Sequence, residues 1–370
     1  MTRQLNIKDA INEALLQEMT ADERVVLFGE DIAGGAGRDE EHPDAADAWG
    51  GPFGVTKGLL PRFGRERVID TAIAESGFIG ASIGAAYAGL RPVAEIMYID
   101  FIGTSFDQVF NQAAKMRYVY GGKVSIPMVI RTVAGAGFRA GAEHSQALYS
   151  LYTHIPGLKV VAPSTAYDAK GLLIEAIRDP DPVIFIEHKR LYMAESEVPE
   201  DSYTIPFGMA KVVREGSDVT IVGIQKMVHT ALEAADGLAQ EGISAEVIDL
   251  RTLVPYDREL VAASVAKTGR LLVAHPDRTF GSFGRQVQGD VVEASPGTPT
   301  LCVGMRLVPA CTQCVELEDH IALQTPWITE AARHLIGVEV LEGAALAGAS
   351  FVRLDDPLAW VQYGSASLHG

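Results

Sequence analysis

Apolar side chains in the first twenty residues recur at helical spacing, with Ile7, Ala10, Ile11, Ala14, Leu15 and Met19 along one side of "MTRQLNIKDAINEALLQEM". A surface helix is expected there. The next run, "RVVLFGED", is apolar without alternation, the mark of a strand covered on both faces. A polar, Gly-rich and acidic excursion follows ("IAGGAGRDEEHPDAADAWGGPFG"), which reads as a surface loop. Apolar runs then alternate with helical spacing: "RVID", a helix over 71–90, "VAEIMYIDF", a helix through "FDQVFNQAAKMRYV", "IPMVIRT", "LKVVAPS", a helix through "AYDAKGLLIEAIRD", and "PVIFIEH". That alternation predicts an α/β fold, a parallel sheet with helices on both faces.

The rhythm breaks over 198–216 and resumes with "DVTIVGI", a helix carrying Val228, Ala231, Leu232, Ala235 and Ala239, then "AEVIDL", a helix from Asp257 to Ala266, and "RLLVAH". The expected division is a domain over 1–197, a connection over 198–216, a smaller α/β domain over 217–340 and an extension over 341–370. Beyond Pro296 the pattern weakens, and no internal repeat appears.

Within the helix over 71–90, Glu75 is the only side chain charged at neutral pH. Ser76, Gly80, Gly84 and Ala88 form one stripe of small side chains, and Gly77, Ala81, Ala85 and Gly89 form its neighbour. Each glycine disfavours the helix by up to ~1 kcal/mol relative to alanine, so close packing must compensate. The pattern alone favours an internal helix packed on its own sheet over a subunit interface with a ligand at its edge.

Composition narrows the function. A net charge of −17 with no Lys/Arg cluster argues against nucleic acid and leaves a basic protein partner open. Three cysteines make no disulfide framework and suit a reducing cytoplasm. The amino terminus lacks a signal peptide's apolar core, and the stretch over 71–90 is too weakly hydrophobic to span a membrane.

Short motifs decide little. "GASIG" matches the hydrolase elbow G-x-S-x-G at Ser82, but inside helical spacing rather than between strand and helix. "GAGFRAGAEHSQ" misses the dinucleotide fingerprint by one residue, although it places His144 in a Gly-rich loop after a strand. There His144 is either a proton-transfer group or a surface residue. The pair Cys311 and Cys314, near Cys302 and His320, is weak evidence for zinc or redox chemistry. Neither a phosphate-cradling G-x-x-x-x-G-K-[ST] loop nor an HExxH pair occurs.

"LFGED", "GVTKGL", "RVIDTAIAESGFIGASIGAAYAGLRPVAE", "DQVFNQAAK", "HSQ", "PGLKVVAPST", "DAKGLLIEAIRDPDPVIFIEHKRLY", "EVPE", "VIDLRTLVPYD" and "KTGRLLVAH" carry a family pattern. In that order they resemble the beta subunit of the thiamine-diphosphate-dependent component of 2-oxo acid dehydrogenase complexes, acetoin and pyruvate dehydrogenase type. The likeness covers about residues 5 to 275. It implies a transketolase-like fold, with a pyrimidine-binding domain followed by a smaller C-terminal-type domain.

By that resemblance Glu75 hydrogen-bonds a ring nitrogen of the aminopyrimidine, Phe101 stacks on the ring and Ile73 packs beside it. His144 would assist proton transfer when the two-carbon unit passes to a lipoyl group. Glu30 and Asp107 match acids that link paired active sites, and carbonyls near Met128, Ala176, Asp179 and Asp181 match a structural potassium site. The diphosphate and its Mg²⁺ require a GDG motif, which this chain lacks. An alpha subunit is thus implied, in an α2β2 heterotetramer serving a lipoyl-bearing acyltransferase. "RTFGSFG", "LVPACTQCVELED" and the long tail depart from the family where it docks that acyltransferase. A relative serving a biosynthetic carrier, or a non-catalytic assembly subunit, therefore stays open.

Overall fold

Side-chain caps set where several helices begin. Asn6 accepts from the Asp9 N–H and starts the helix Ile7–Ala21, and Thr165, Asp257 and Ser282 do the same for Ala166–Arg178, Arg258–Thr268 and Phe283–Ala294. A computed structural model describes residues 2–34, 50–307 and 313–337.

The strands of the first half are β1 (Thr2–Asn6), β2 (Val25–Gly29), β3 (Val68–Asp70), β4 (Arg91–Ile96), β5 (Val129–Ala134), β6 (Lys159–Val161), β7 (Val183–His188) and β8 (Glu195–Pro199). Those of the second are β9 (Lys211–Arg214), β10 (Val219–Gly223), β11 (Ala245–Asp249), β12 (Thr252–Val254), β13 (Leu271–Arg278) and β14 (Thr300–Met305). The larger sheet runs β12-β6-β7-β5-β4-β2-β3, and the smaller β14-β13-β10-β11-β9. Every pairing within them is parallel except β12 with β6 and β9 with β11.

Both faces of the larger sheet are covered, as the unbroken apolar runs predict. Val129, Val133 and Phe185 join a core with the helices Ile7–Ala21 and Ala166–Arg178. Ile130, Ala134 and Ile186 point the other way, onto the helix Glu75–Tyr87 and onto Val222, Ile248 and Leu250 of the second sheet. One apolar core therefore runs from one sheet into the other. Among the described residues no helix is long and apolar enough to cross a membrane.

Several elements differ from expectation. β1 precedes the first helix and pairs antiparallel with β8, two polar strands that hydropathy alone passes over. "RTLVPYD" supplies β12, which leaves the second half to extend the first sheet. The helix expected through "FDQVFNQAAKMRYV" starts earlier, at Ile102, and contains a π-helical stretch, Gln108–Ala113. Past Pro296, where the pattern fades, β14 and the helix Thr325–Ile336 are regular, the helix packing Ile328, Ala331 and Ala332 against Ala231, Ala235 and Leu238. The extension over 341–370 and most of the acidic loop lie outside the described residues.

Lys170 ties three of these elements together. Fully buried, its ammonium donates to Glu13 and to the carbonyls of Pro199, Glu200 and Asp201 at 2.6–3.1 Å. Lys170→Met should lower unfolding stability by about 3 kcal/mol, the low end for breaking a buried pair, because Arg3 still reaches Glu13. Urea denaturation checks this, and an unchanged midpoint would contradict it.

Candidate active site

The carboxyl ends of β2, β4, β5 and β7 lie side by side, where open parallel sheets bind ligands. Register sets Gly29 opposite Glu95, and Glu95 opposite Arg131. The fully buried Arg131 guanidinium donates to Glu95 at 2.6 Å and grips Glu187 with two bonds of 2.7 and 2.9 Å. The Tyr192 hydroxyl also donates to Glu187, at 2.6 Å.

Just past β2, Glu30 has no such cation among the described residues. Burial, then repulsion from Glu75, Asp31 and Glu95, pushes its carboxyl up to about 7. Glu75 opens the helix Glu75–Tyr87 with its side chain buried, and the Thr104 hydroxyl donates to its Oε2 at 3.1 Å. A second bond, from the Ser76 hydroxyl to the Thr104 carbonyl, keeps that neighbour in place.

Aromatic rings line the adjoining wall. The His144 ring meets Tyr98 edge-on at 4.7 Å and Phe101 at 5.4 Å, and Phe53 bridges Tyr98 to Tyr192. His144 lies in a short 3₁₀ turn, Ala142–His144, whose last carbonyl accepts from the Lys189 ammonium. The loop is pinned further where the Gln146 N–H donates to Asp100 at 3.2 Å. Two buried polar atoms here, His144 Nδ1 and Asp100 Oδ2, have no hydrogen-bond partner among the described residues. Such atoms demand a ligand or water.

The structure thus brings Glu30, Glu75, Phe101 and His144 to one edge. Ile73 stands at its rim with 83% of its surface exposed. Asp107 is on an exposed helix face bonded to Asn111, and it is not among the acids that raise Glu30. The four residues matched to a potassium site lie at the opposite end of the sheet's strands. The Met128 carbonyl accepts from Val183 N–H, that of Ala176 from Asp179 N–H, and that of Asp179 from Arg91. The carboxylates of Asp179 and Asp181 hold Lys159, and Asp181 also holds Arg117.

The helix packs on its own sheet as expected, through Phe78, Ile79, Ile83 and Ala86, but the small-residue stripes are not the face that does so. Ser76, Gly77, Ala81, Gly84 and Ala88 are exposed, and apart from its own neighbours and helix backbone nothing among the described residues lies within 4 Å of a Cβ built on Gly84. Ser82 faces inward, fully buried, with its hydroxyl donating to the Phe78 carbonyl, so it is no nucleophile. Cys302 is buried, its thiol pushed up to about 12, and Cys314 bonds Glu316, while Cys311 lies outside the described residues. Among the described residues no His, Cys, Asp and Glu grouping is suited to a metal ion.

Arg131, Glu95, Glu187 and Tyr98 were not singled out in the sequence. The available signal was a lone charge inside each of three apolar runs, "VAEIMY", "MVIRT" and "VIFIEH".

Residues 3–195 match the family model described as transketolase, pyrimidine binding domain, and residues 208–328 match transketolase, C-terminal domain. A solved split-gene transketolase, an inactive β4 tetramer, shares the fold with a TM-score of 0.71 and 23% identity, covering 91% of this chain and 99% of its own. The acetoin:2,6-dichlorophenolindophenol oxidoreductase subunit beta of Cupriavidus necator is 62% identical over 308 residues, 83% of this chain and 89% of that protein. Its namesake in Bacillus subtilis is 56% identical over 273 residues, 74% and 79% of the two chains. The pyruvate dehydrogenase E1 component subunit beta of Rickettsia conorii is 44% identical over 290 residues, 78% and 85%. The chain belongs to the transketolase-like family of acetoin and 2-oxo acid dehydrogenase beta subunits.

Glu30 generates a pH prediction. A carboxyl whose folded pKa exceeds its unfolded value contributes stability at low pH, and that contribution is lost as pH rises from about 4.5 through about 7. Glu30→Gln should therefore reduce the fall in stability across that window. Chemical denaturation at several pH values tests it, and parallel curves for the two proteins would contradict it.

Proposed function

We propose that this chain is the beta subunit of a heteromeric thiamine-diphosphate-dependent dehydrogenase acting on acetoin. The observation that carries the substrate is the step in identity, 62% and 56% to acetoin oxidoreductase beta subunits against 44% and 45% to pyruvate and 2-oxoisovalerate relatives.

The residues present fit the aminopyrimidine half of that cofactor. Glu75 offers a sheltered carboxylate, Phe101 and Tyr98 offer flat apolar walls, and His144 Nδ1 is a buried polar atom without a hydrogen-bond partner among the described residues. When bound, thiamine diphosphate supplies an electron sink for breaking the bond beside a carbonyl carbon. Glu75 would share a proton with the pyrimidine ring, at a carboxylate positioned by Thr104. Phe101 would hold the ring by stacking and Ile73 would cover its edge. His144 would move a proton at Nδ1 while the two-carbon unit leaves for a lipoyl acceptor. Glu30, which gains and loses its proton near neutral pH, suits a relay toward a second site, with Asp107 as its further member.

An alpha subunit would hold the diphosphate and Mg²⁺ in an α2β2 assembly, with the exposed face of the helix Glu75–Tyr87 at the shared boundary. Carbonyl oxygens have two lone pairs, so those of Met128, Ala176, Asp179 and Asp181 could still serve a structural K⁺. The gathering of Glu75, Phe101 and His144 supports a working subunit over an assembly protein. Transfer to a lipoyl-bearing acyltransferase is the matching next step.

The test is co-expression with the alpha chain and an assay of acetoin-dependent reduction of 2,6-dichlorophenolindophenol. Acetoin should exceed pyruvate and 2-oxoisovalerate in kcat/KM, and Glu75→Gln should lower kcat by about 10² to 10⁴, the range for a lost proton-transfer group. A preference for pyruvate would overturn the substrate. Full activity in Glu75→Gln would overturn the role of that residue.

A further inference from the structure

A glycine-rich backbone and a fixed proton-transfer group are opposing demands, and both fall on the loop that carries His144. Gly137 and Gly141 lie at φ 106° and 86°, conformations that only glycine adopts freely, and the 3₁₀ turn Ala142–His144 starts without a side-chain cap. Its own backbone would not hold the imidazole in one direction. Yet His144 presents a buried Nδ1 that meets no hydrogen-bond partner among the described residues. The hold comes from outside the loop.

Two side chains of other elements supply it, one at His144 itself and one two residues later. Lys189 follows β7 directly and is 2% exposed. Its ammonium donates to the His144 carbonyl and stands 3.5 Å from the Ser145 hydroxyl. The same ammonium lies 5.6 Å from the centre of the Tyr98 ring, which meets the His144 ring edge-on at 4.7 Å. One buried cation thus touches both the backbone that carries the imidazole and the ring on which the imidazole packs.

Asp100 works from the other side. It sits in the 3₁₀ turn Ile99–Phe101, and its Oδ1 accepts the Gln146 N–H at 3.2 Å. The Gln146 carbonyl in turn accepts the Gly135 N–H at 2.9 Å, which closes the loop against the end of β5. The next residue, Phe101, has its ring 5.4 Å from that of His144. Aromatic wall and histidine loop are therefore tied to one turn.

We propose that Lys189 and Asp100 are positioning residues for proton transfer at His144. The inference rests on the reading of His144 as the group that moves a proton while the two-carbon unit leaves for a lipoyl acceptor. In that step a carbon–sulfur bond forms as the sulfur–sulfur bond breaks, so the two-carbon unit is oxidised to an acyl group and the disulfide is reduced. The departing sulfur takes up a proton, and the hydroxyl of the two-carbon unit gives one up. A donor must stand within hydrogen-bond reach of that sulfur, and misplacement by about 1 Å can cost ~10²-fold.

Lys189→Met, Asp100→Ala, Asp100→Asn and His144→Ala are each made in the chain co-expressed with its alpha partner. With acetoin as donor, two rates are compared: transfer to lipoamide, which needs a proton at sulfur, and reduction of 2,6-dichlorophenolindophenol, which does not. Lys189→Met and Asp100→Ala should lower the ratio of the first rate to the second by about tenfold or more. Asp100→Asn keeps an oxygen that accepts the Gln146 N–H, so it should stay near the wild-type ratio. A readout independent of turnover is hydrogen exchange over residues 140–148 in the assembly without cofactor, which should speed up in Lys189→Met and Asp100→Ala. Should Lys189→Met fail to fold, the two Asp100 variants decide. An unchanged ratio, unchanged exchange, or equal loss in Asp100→Asn and Asp100→Ala overturns the proposal. An unchanged ratio in His144→Ala overturns the underlying reading and this inference together, whereas a fall there with normal Lys189 and Asp100 variants overturns this inference alone.

Discussion

Four carboxylates, those of Glu30, Glu75, Glu95 and Glu187, meet at one edge of a parallel sheet, and the guanidinium of Arg131 makes that crowding tolerable. Removing such charges from water costs several kcal/mol each, and attraction offsets this only when the bonds are short and well aligned. Arg131 meets that condition by gripping Glu187 with two bonds and Glu95 with one. Its reach ends there. Among the described residues Glu30 and Glu75 are left without a cation, and burial together with the neighbouring acids raises the Glu30 pKa. An unpaired acid is costly in a structural core and useful where protons must move.

The same edge is open. Ile73 stands almost fully exposed beside it, and the adjoining helix turns its small residues outward. Glycines lower helix stability wherever they occur, and this helix is held by its other face, where Phe78, Ile79, Ile83 and Ala86 are buried in the core. The site therefore sets a sheltered carboxylate, an aromatic wall and a histidine along an edge that the described residues leave open.

Much of this was legible in the amino-acid order. Apolar runs alternating with helical spacing were enough for the parallel sheet, because buried parallel strands need no polar face. Glu75 stood out as one charge in an uncharged stretch. The stripes beside it were visible too, but a stripe of small residues has the same appearance whether it meets its own sheet or another chain. Arg131, Glu95 and Glu187 were harder, since their partnership depends on register between strands distant in sequence. β12 was harder still: three residues, Thr252–Val254, are too few to show periodicity, and their partner β6 lies some ninety residues away. β1 and β8 escaped because both are polar, and only their pairing makes them strands.

The claim that this edge is half of a shared cofactor site is tested most directly by thiol labelling of Ile73→Cys, with Cys311 and Cys314 changed to serine. The introduced thiol should react rapidly in the chain alone and slow sharply when the alpha chain and thiamine diphosphate are both present. Labelling that stays equally fast in the assembled, cofactor-loaded protein would contradict the account.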